Sequence, residues 1–248
     1  MTPHVVADVG NSRIKWGFCL PDDLIVMQSH PPEDTDVWQK RFDSSHLAPG
    51  SLWVLAGVHP ARRDRFANWL RERGQQVHIV THPRELPLRT RLPEPEKAGI
   101  DRLLNAVAVT RRRPPGRPAV IVDAGSAVTV DYVDESGAFA GGAIFPGIRL
   151  MAKALHDYTA LLPLIELPDD VPDAPASATV PAMQAGVYGA VAGGISRLVA
   201  QYRSLSAEPP TVFLTGGDWA LLRSTFPDAV FAPTMTLDGL RWTAETLS

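Results

Sequence analysis

The chain has 248 residues, 45% of them hydrophobic, which is enough apolar surface for a substantial buried core and excludes disorder of the whole chain. Its formal net charge of -3 provides no global positive field to hold nucleic acid or an anionic membrane, so a polyanion must meet a local site. The single cysteine, Cys19, excludes an intramolecular disulfide and fits a reducing, cytoplasmic compartment.

At the N-terminus, Met1 to His4 lacks a basic region and Asp8 interrupts the apolar run that follows, so no secretory signal is expected. The run Val5-Val6-Ala7 ends in Asp8, the turn formers Gly10, Asn11 and Ser12 follow, and Ile14 to Leu20 continues, a pattern that predicts a β-hairpin. Apolar runs predict further strands at 52–58 and 77–80, with a helix at 60–73 between them and another at 98–112. The segment from Arg111 to Arg117 then carries prolines that stop the helix and stiffen the connection, and it is the expected boundary between 1–115 and 116–248. Its three consecutive arginines read as partners of the last helical carbonyls, with a phosphate or nucleic-acid patch as the alternative. Strands follow at 119–122, 127–133, 138–145 and 212–214, and helices at 181–204 and 237–247. No charge occurs between Asp173 and Arg197, but the prolines and glycines there, with few large aliphatics, indicate a closely packed helix rather than a membrane span. Strands and helices in this order give an α/β class.

An internal repeat underlies the order. Val6-Ala7-Asp8-Val9-Gly10 recurs as Ile121-Val122-Asp123-Ala124-Gly125, and each copy is followed by a hydroxyl residue, Ser12 or Ser126, and a second β-like segment. A glycine at such a turn lets the backbone approach a phosphate, and successive N-H groups and a serine hydroxyl can donate to its oxygens. The aspartate would repel a polyphosphate unless a cation such as Mg2+ intervenes, and Lys15 adds a positive charge to the same hairpin. An ordinary ligand-free β-turn is the alternative for either copy alone. Thr215-Gly216-Gly217 follows a third strand, where the glycine pair can admit an adenosine close to the backbone. Neither a Walker A run nor a G-x-G-x-x-G after a strand is present.

Gly99-Ile100-Asp101-Arg102 opens an apolar-periodic helix and sets an acid beside a cation. In phosphoryl transfer to an alcohol, the carboxylate can accept the hydroxyl proton while the arginine fixes an anionic group on the acceptor. A helix-start aspartate favoured by the macrodipole, with a solvated arginine, is the alternative. His78 and His82 have no carboxylate or cysteine spacing to complete a zinc site, and no nucleophile elbow occurs.

Together, Asp8 to Lys15, Gly99 to Arg102, Asp123 to Asp131, Gly141 to Gly147 and Thr215 to Gly217 resemble type III pantothenate kinases across nearly the whole chain. The resemblance implies two duplicated actin-like, ribonuclease H-like lobes with mixed sheets and an ATP cleft between them. The first, 1–115, holds the first phosphate hairpin and the substrate loop; the second, 116–248, holds the second hairpin, a long dimerisation helix and the adenosine site. It further implies ATP-dependent phosphorylation of pantothenate to 4'-phosphopantothenate in a cytoplasmic homodimer, with no nucleic-acid or membrane partner. The residues carried over are Asp8, Val9, Gly10, Asn11, Ser12, Arg13, Ile14, Lys15 and Ser126 for ATP, Asp8 also for Mg2+, and Asp123 for K+ or NH4+. Asp101 matches the proton acceptor, and Gly99, Ile100, Asp101, Arg102 and Thr179 match pantothenate contacts, Thr179 near the dimer interface. Two departures stand out. Ser12 and Ser126 replace the usual threonines, and no aromatic residue lies between Thr90 and Lys97, where Leu92 is the candidate substitute. A phosphotransferase or phosphohydrolase acting on another substrate, and a nucleotide-sensing regulatory protein, are the competing readings; the sequence carries no basic recognition helix for the latter.

Overall fold

The computed structural model describes residues 1–20, 24–168 and 170–247. The chain divides into two compact units, one formed by Met1–Arg112 with the segment from Thr234 onward, the other by Arg113–Pro233. In the first, β1 (Val5–Val9), β2 (Ile14–Cys19) and β3 (Leu24–His30) form an antiparallel meander. After helix α1 (Thr35–Asp43), β4 (Leu52–Ala56) pairs parallel with β1, and helix α2 (Pro60–Arg71) crosses over to β5 (Gln76–Ile79), giving the order β3-β2-β1-β4-β5. Helix α3 (Ile100–Arg112) follows.

The side chains of Val5, Ala7 and Val9 alternate onto one face of β1 and meet an aromatic core of Trp16, Trp38, Trp53, Phe66 and Trp69. Trp16 stacks on Phe66 at 5.6 Å between ring centroids and meets Trp53 edge-on at 5.5 Å. Cys19 ends β2 as a free thiol that burial pushes up to about 11, the nearby Arg241 opposing, so it is protonated at neutral pH. Helix α1, which the sequence pattern does not announce, starts because the Asp34 side chain accepts the Val37 N-H at 3.0 Å; of its residues only Trp38 is buried.

The second unit repeats this topology. β6 (Ala119–Ala124), β7 (Ala127–Val133) and β8 (Phe139–Pro146) form the meander, and β9 (Thr211–Thr215) and β10 (Val230–Phe231) add parallel to β6, giving β10-β9-β6-β7-β8. The repeated Asp-x-Gly segments therefore occupy the same place, at the end of each central strand. Helices α4 (Ile148–Asp157), α5 (Thr179–Arg203) and the short α6 (Trp219–Leu222) complete the unit. Val187, Val191 and Ile195, one turn apart on α5, bury against Val120, Val122, Val128 and Val130.

Helix α7 (Met235–Thr246) corrects the sequence boundary, which assigned everything after residue 115 to one lobe: it packs on α3 in the first unit. Gly239 makes this possible, because a Cβ there would lie 2.0 Å from the Leu104 carbonyl oxygen. The arginines at the end of α3 reinforce the contact. Arg111 Nη1 pairs with Glu245 Oε2 at 2.8 Å and Arg112 Nη2 with Asp238 Oδ2 at 2.5 Å, so they are cross-links to α7 and not merely partners of their own helix end. Among the described residues, no helix is long and apolar enough to cross a membrane.

His30 is 2% exposed, lies 4.6 Å from Trp16 between ring centroids, and its Nε2 has no hydrogen-bond partner. Burial, helped by the Arg41 charge, lowers its pKa below 6.5. The unfolded chain takes up this proton near its ordinary pKa while the folded chain resists it, so stability is lost as pH falls from about 6.5 toward the folded value. Calorimetric Tm values between pH 7 and 5 should therefore fall more steeply for the native chain than for His30→Phe; parallel slopes would rule out this assignment.

Candidate active site

At the first turn, antiparallel pairing sets Asp8 directly opposite Lys15 and Val9 opposite Ile14. The Gly10 N-H donates to the Arg13 carbonyl at 2.9 Å, which closes the loop and leaves Asn11, Ser12 and Arg13 exposed. Val9 and Ile14 are fully buried in the aromatic core, so they can offer a ligand only their backbone. Two supports of this turn are not legible in the motif. Gly57, at the end of the parallel neighbour β4, approaches so closely that a Cβ would lie 2.5 Å from the Val9 carbonyl oxygen. Arg62 of α2 donates to the Asn11 carbonyl, while its Nε is held by Glu33 at 2.7 Å.

At the second turn, the Gly125 N-H donates to the Ala127 carbonyl at 3.1 Å, and Asp123 stands opposite Thr129 on β7 and beside Thr215 on β9. Asp123 is partly buried and Ser126 exposed. Two other segments close on this turn. The Gly147 N-H donates to the Ser126 carbonyl at 3.0 Å, and a Cβ on Gly147 would lie 2.0 Å from the Gly125 oxygen. The Asp218 N-H donates to the Ala124 carbonyl at 2.9 Å, and Gly216, at φ +98°, leaves its would-be Cβ 2.2 Å from that same carbonyl oxygen. Gly147 of the first motif and Gly216 of the second are thus explained by backbone contact with the turn.

Next to these glycines lies a cavity of about 710 Å³, lined among others by Ile148, Arg149, Lys153, Ile165, Gly217 and Asp218. A Cβ on Gly217 would meet nothing within 4 Å, so the backbone there opens onto free space. Burial raises the Asp218 pKa, and Arg149, whose Nη2 lies 3.2 Å from Asp218 Oδ1, opposes the rise. This pair escapes sequence reasoning because its members are far apart in the chain with no motif linking them.

Asp101 and Arg102 are partly buried in the first turn of α3. Asp101 Oδ1 accepts the Arg102 N-H at 2.8 Å, one of the helix-start donors without an intrahelical partner. The carboxylate folds back over Gly99, where a Cβ would lie 2.5 Å from Asp101 Oδ1. A side chain at Gly99 would therefore push the Asp101 carboxylate from this position. Leu92 is partly buried, its N-H donating to Thr90 Oγ1 at 3.0 Å. His78 and His82 serve locally: His78 lies 3.3 Å from Glu85, and His82 caps the 3-10 turn at Pro83–Glu85.

Thr179 is exposed at the start of α5 and lines a largely apolar groove of about 900 Å³ with Leu150, Tyr158, Ala182, Met183 and Gly186. Beside it Tyr158 and Leu161 are 87% and 92% exposed.

Residues 4–201 match a family described as Type III pantothenate kinase. A type III pantothenate kinase of Alkalilimnicola ehrlichii is 32% identical over 245 residues, covering 96% of each chain. Another, of Flavobacterium johnsoniae, is 31% identical over 230 residues, covering 92% of this chain and 91% of its own. Among solved structures, a Campylobacter jejuni chain assigned to the Baf family of transcriptional activators matches with a TM-score of 0.62 at 21% identity over 97% of both chains. The activator of 2-hydroxyisocaproyl-CoA dehydratase from Clostridium difficile, with bound ADPNP, matches with a TM-score of 0.53 at 14% identity, over 97% of this chain and 92% of its own. At these identities the solved structures show the fold alone, an actin-like one of two duplicated α/β units.

Proposed function

We propose residue roles on the premise that the sequence matches establish: this chain belongs to the type III pantothenate kinase family. It phosphorylates pantothenate with ATP, an early step of coenzyme A biosynthesis, with an alcohol group as phosphoryl acceptor.

Asp101 takes the proton of the acceptor hydroxyl and orients its oxygen. The single observation that carries this role is the fixed carboxylate: Oδ1 is tied to the Arg102 N-H at 2.8 Å over a glycine that no larger residue can replace without displacing it. Arg102, adjacent on the same turn, pairs with the pantothenate carboxylate through its guanidinium. Gly99 and Ile100 complete the loop, with Ile100 mostly buried beneath it.

The nucleotide is bound with Mg2+, which neutralises phosphate charge when present. Asp8, partly exposed at the end of β1, is the carboxylate suited to that ion, and the exposed Asn11, Ser12 and Arg13, with Gly10 and Lys15, offer donors to phosphate oxygens. Ser126 does the same from the second turn. The open space before Gly217 and the adjacent cavity of about 710 Å³ suit an adenosine, with the backbone as one wall. Asp123 holds a monovalent cation, K+ or NH4+; the buried hydroxyl opposite it, Thr129 Oγ1, has no hydrogen-bond partner and so fits an additional polar guest. The groove beside α5 and the exposed Tyr158 and Leu161 support a homodimer in which Thr179 works at the subunit boundary.

Asp101→Asn should leave the fold and ATP binding intact and lower kcat by roughly 10² to 10⁴-fold, the range for losing a positioned base. The transition state is loose, so much of that loss comes from a misoriented oxygen. Retention of more than about half of native kcat would remove Asp101 as the proton acceptor. Sedimentation at micromolar concentration should give a dimer; a monomer that turns over pantothenate would place Thr179 in a same-chain role or none.

A further inference from the structure

We propose that Thr129 is a second side-chain ligand of the monovalent cation held at Asp123, an assignment that rests on reading Asp123 as the cation site. The duplicated topology supplies the comparison. In the first unit, the residue directly opposite the turn aspartate is Lys15, a cation on the same face of the sheet as Asp8. In the second, the corresponding position opposite Asp123 is Thr129, and no lysine or arginine stands in its place. Directly opposed residues of an antiparallel pair share a face, with Cβ atoms about 5 Å apart. Asp131, two residues along β7, shares that face too and is 1% exposed, its carboxylate set over Gly142, where a Cβ would lie 2.4 Å from Asp131 Oδ1. Thr215, 3% exposed, flanks Asp123 from β9.

This face therefore carries two carboxylates and two threonines, and one of the hydroxyls, Thr129 Oγ1, is shielded from solvent without a hydrogen-bond partner. A shielded hydroxyl left unpaired forgoes the hydrogen bonds it makes with water in the unfolded chain, so a guest that engages it is favoured. The charge decides which guest. A phosphate oxygen beside Asp123 and Asp131 would be repelled, whereas a weakly hydrated monovalent cation is attracted to both carboxylates and accepts the lone pairs of a neutral hydroxyl. The hydroxyl proton is then directed away from the ion and toward a carboxylate or carbonyl oxygen.

The test uses the full chain without ATP or pantothenate, following Tm during titration with KCl against tetramethylammonium chloride at constant ionic strength. The native chain should gain stability with K+, Thr129→Val should shift the half-maximal K+ concentration upward by about tenfold or more, and Thr129→Ser should bring it back to within about threefold of native. If Thr129→Val responds to K+ like the native chain while Asp123→Asn does not respond at all, the Thr129 assignment falls and the Asp123 reading stands. A native chain with no K+-specific stabilisation overturns both. If Thr129→Val keeps its K+ response but, in a separate titration with Mg-ATP, loses the stabilisation that the native chain gains, the hydroxyl serves phosphate and the proposal is wrong.

Discussion

The second acidic turn depends on backbone packed against backbone. Two segments distant in sequence, the end of β8 and the end of β9, close on the loop between β6 and β7 through glycines whose Cα atoms sit where any side chain would strike a carbonyl oxygen, 2.0 Å away at Gly147 and 2.2 Å at Gly216. Each approach is locked by a hydrogen bond, from Gly147 N to Ser126 O at 3.0 Å and from Asp218 N to Ala124 O at 2.9 Å. Side chains can change rotamer to relieve a clash, but backbone cannot, so the positions of Asp123, Ser126 and the Gly217 opening are fixed together. The first turn uses the same device once, with Gly57 against Val9.

From this constraint the division of labour between the units follows. Both present a carboxylate at the end of a central strand, yet Asp8 has Lys15 across from it and Asp123 has Thr129. With a lysine opposite the acid in one unit and a threonine in the other, the two turns differ electrostatically. The carboxylate proposed as proton acceptor comes from neither turn. Asp101 belongs to a helix start, held by the neighbouring N-H and the clearance over Gly99, and α7 supports that helix from its far side through Gly239 and the Arg112–Asp238 pair.

Much of this was legible in the sequence because it rests on short-range pattern. The strand β7 appears at 127–133 as the apolar run predicts, and the repeated Asp-x-Gly segments lie at equivalent places because alternation and turn chemistry are local. What was not legible depends on contact at a distance. The return of α7 to the first unit turns on the missing side chain of Gly239, which helix periodicity cannot reveal, and the Arg149–Asp218 pair joins two elements that share no motif. Helix α4 is not among the predicted elements, although Ile148 and Ala152 bury one turn apart on it. Val9 and Ile14 sat within the nucleotide motif yet are core residues, since a hairpin that carries a site must also anchor it.

The central claim, that backbone contact at the second turn builds the nucleotide site, is tested most directly by the Gly147→Ala variant, examined for ATP and pantothenate kinetics, with circular dichroism to establish that it is folded. The account predicts a folded protein whose KM for ATP rises by about tenfold or more, about 1.4 kcal/mol, while its KM for pantothenate changes little. A folded variant with both constants within about twofold of native would contradict it.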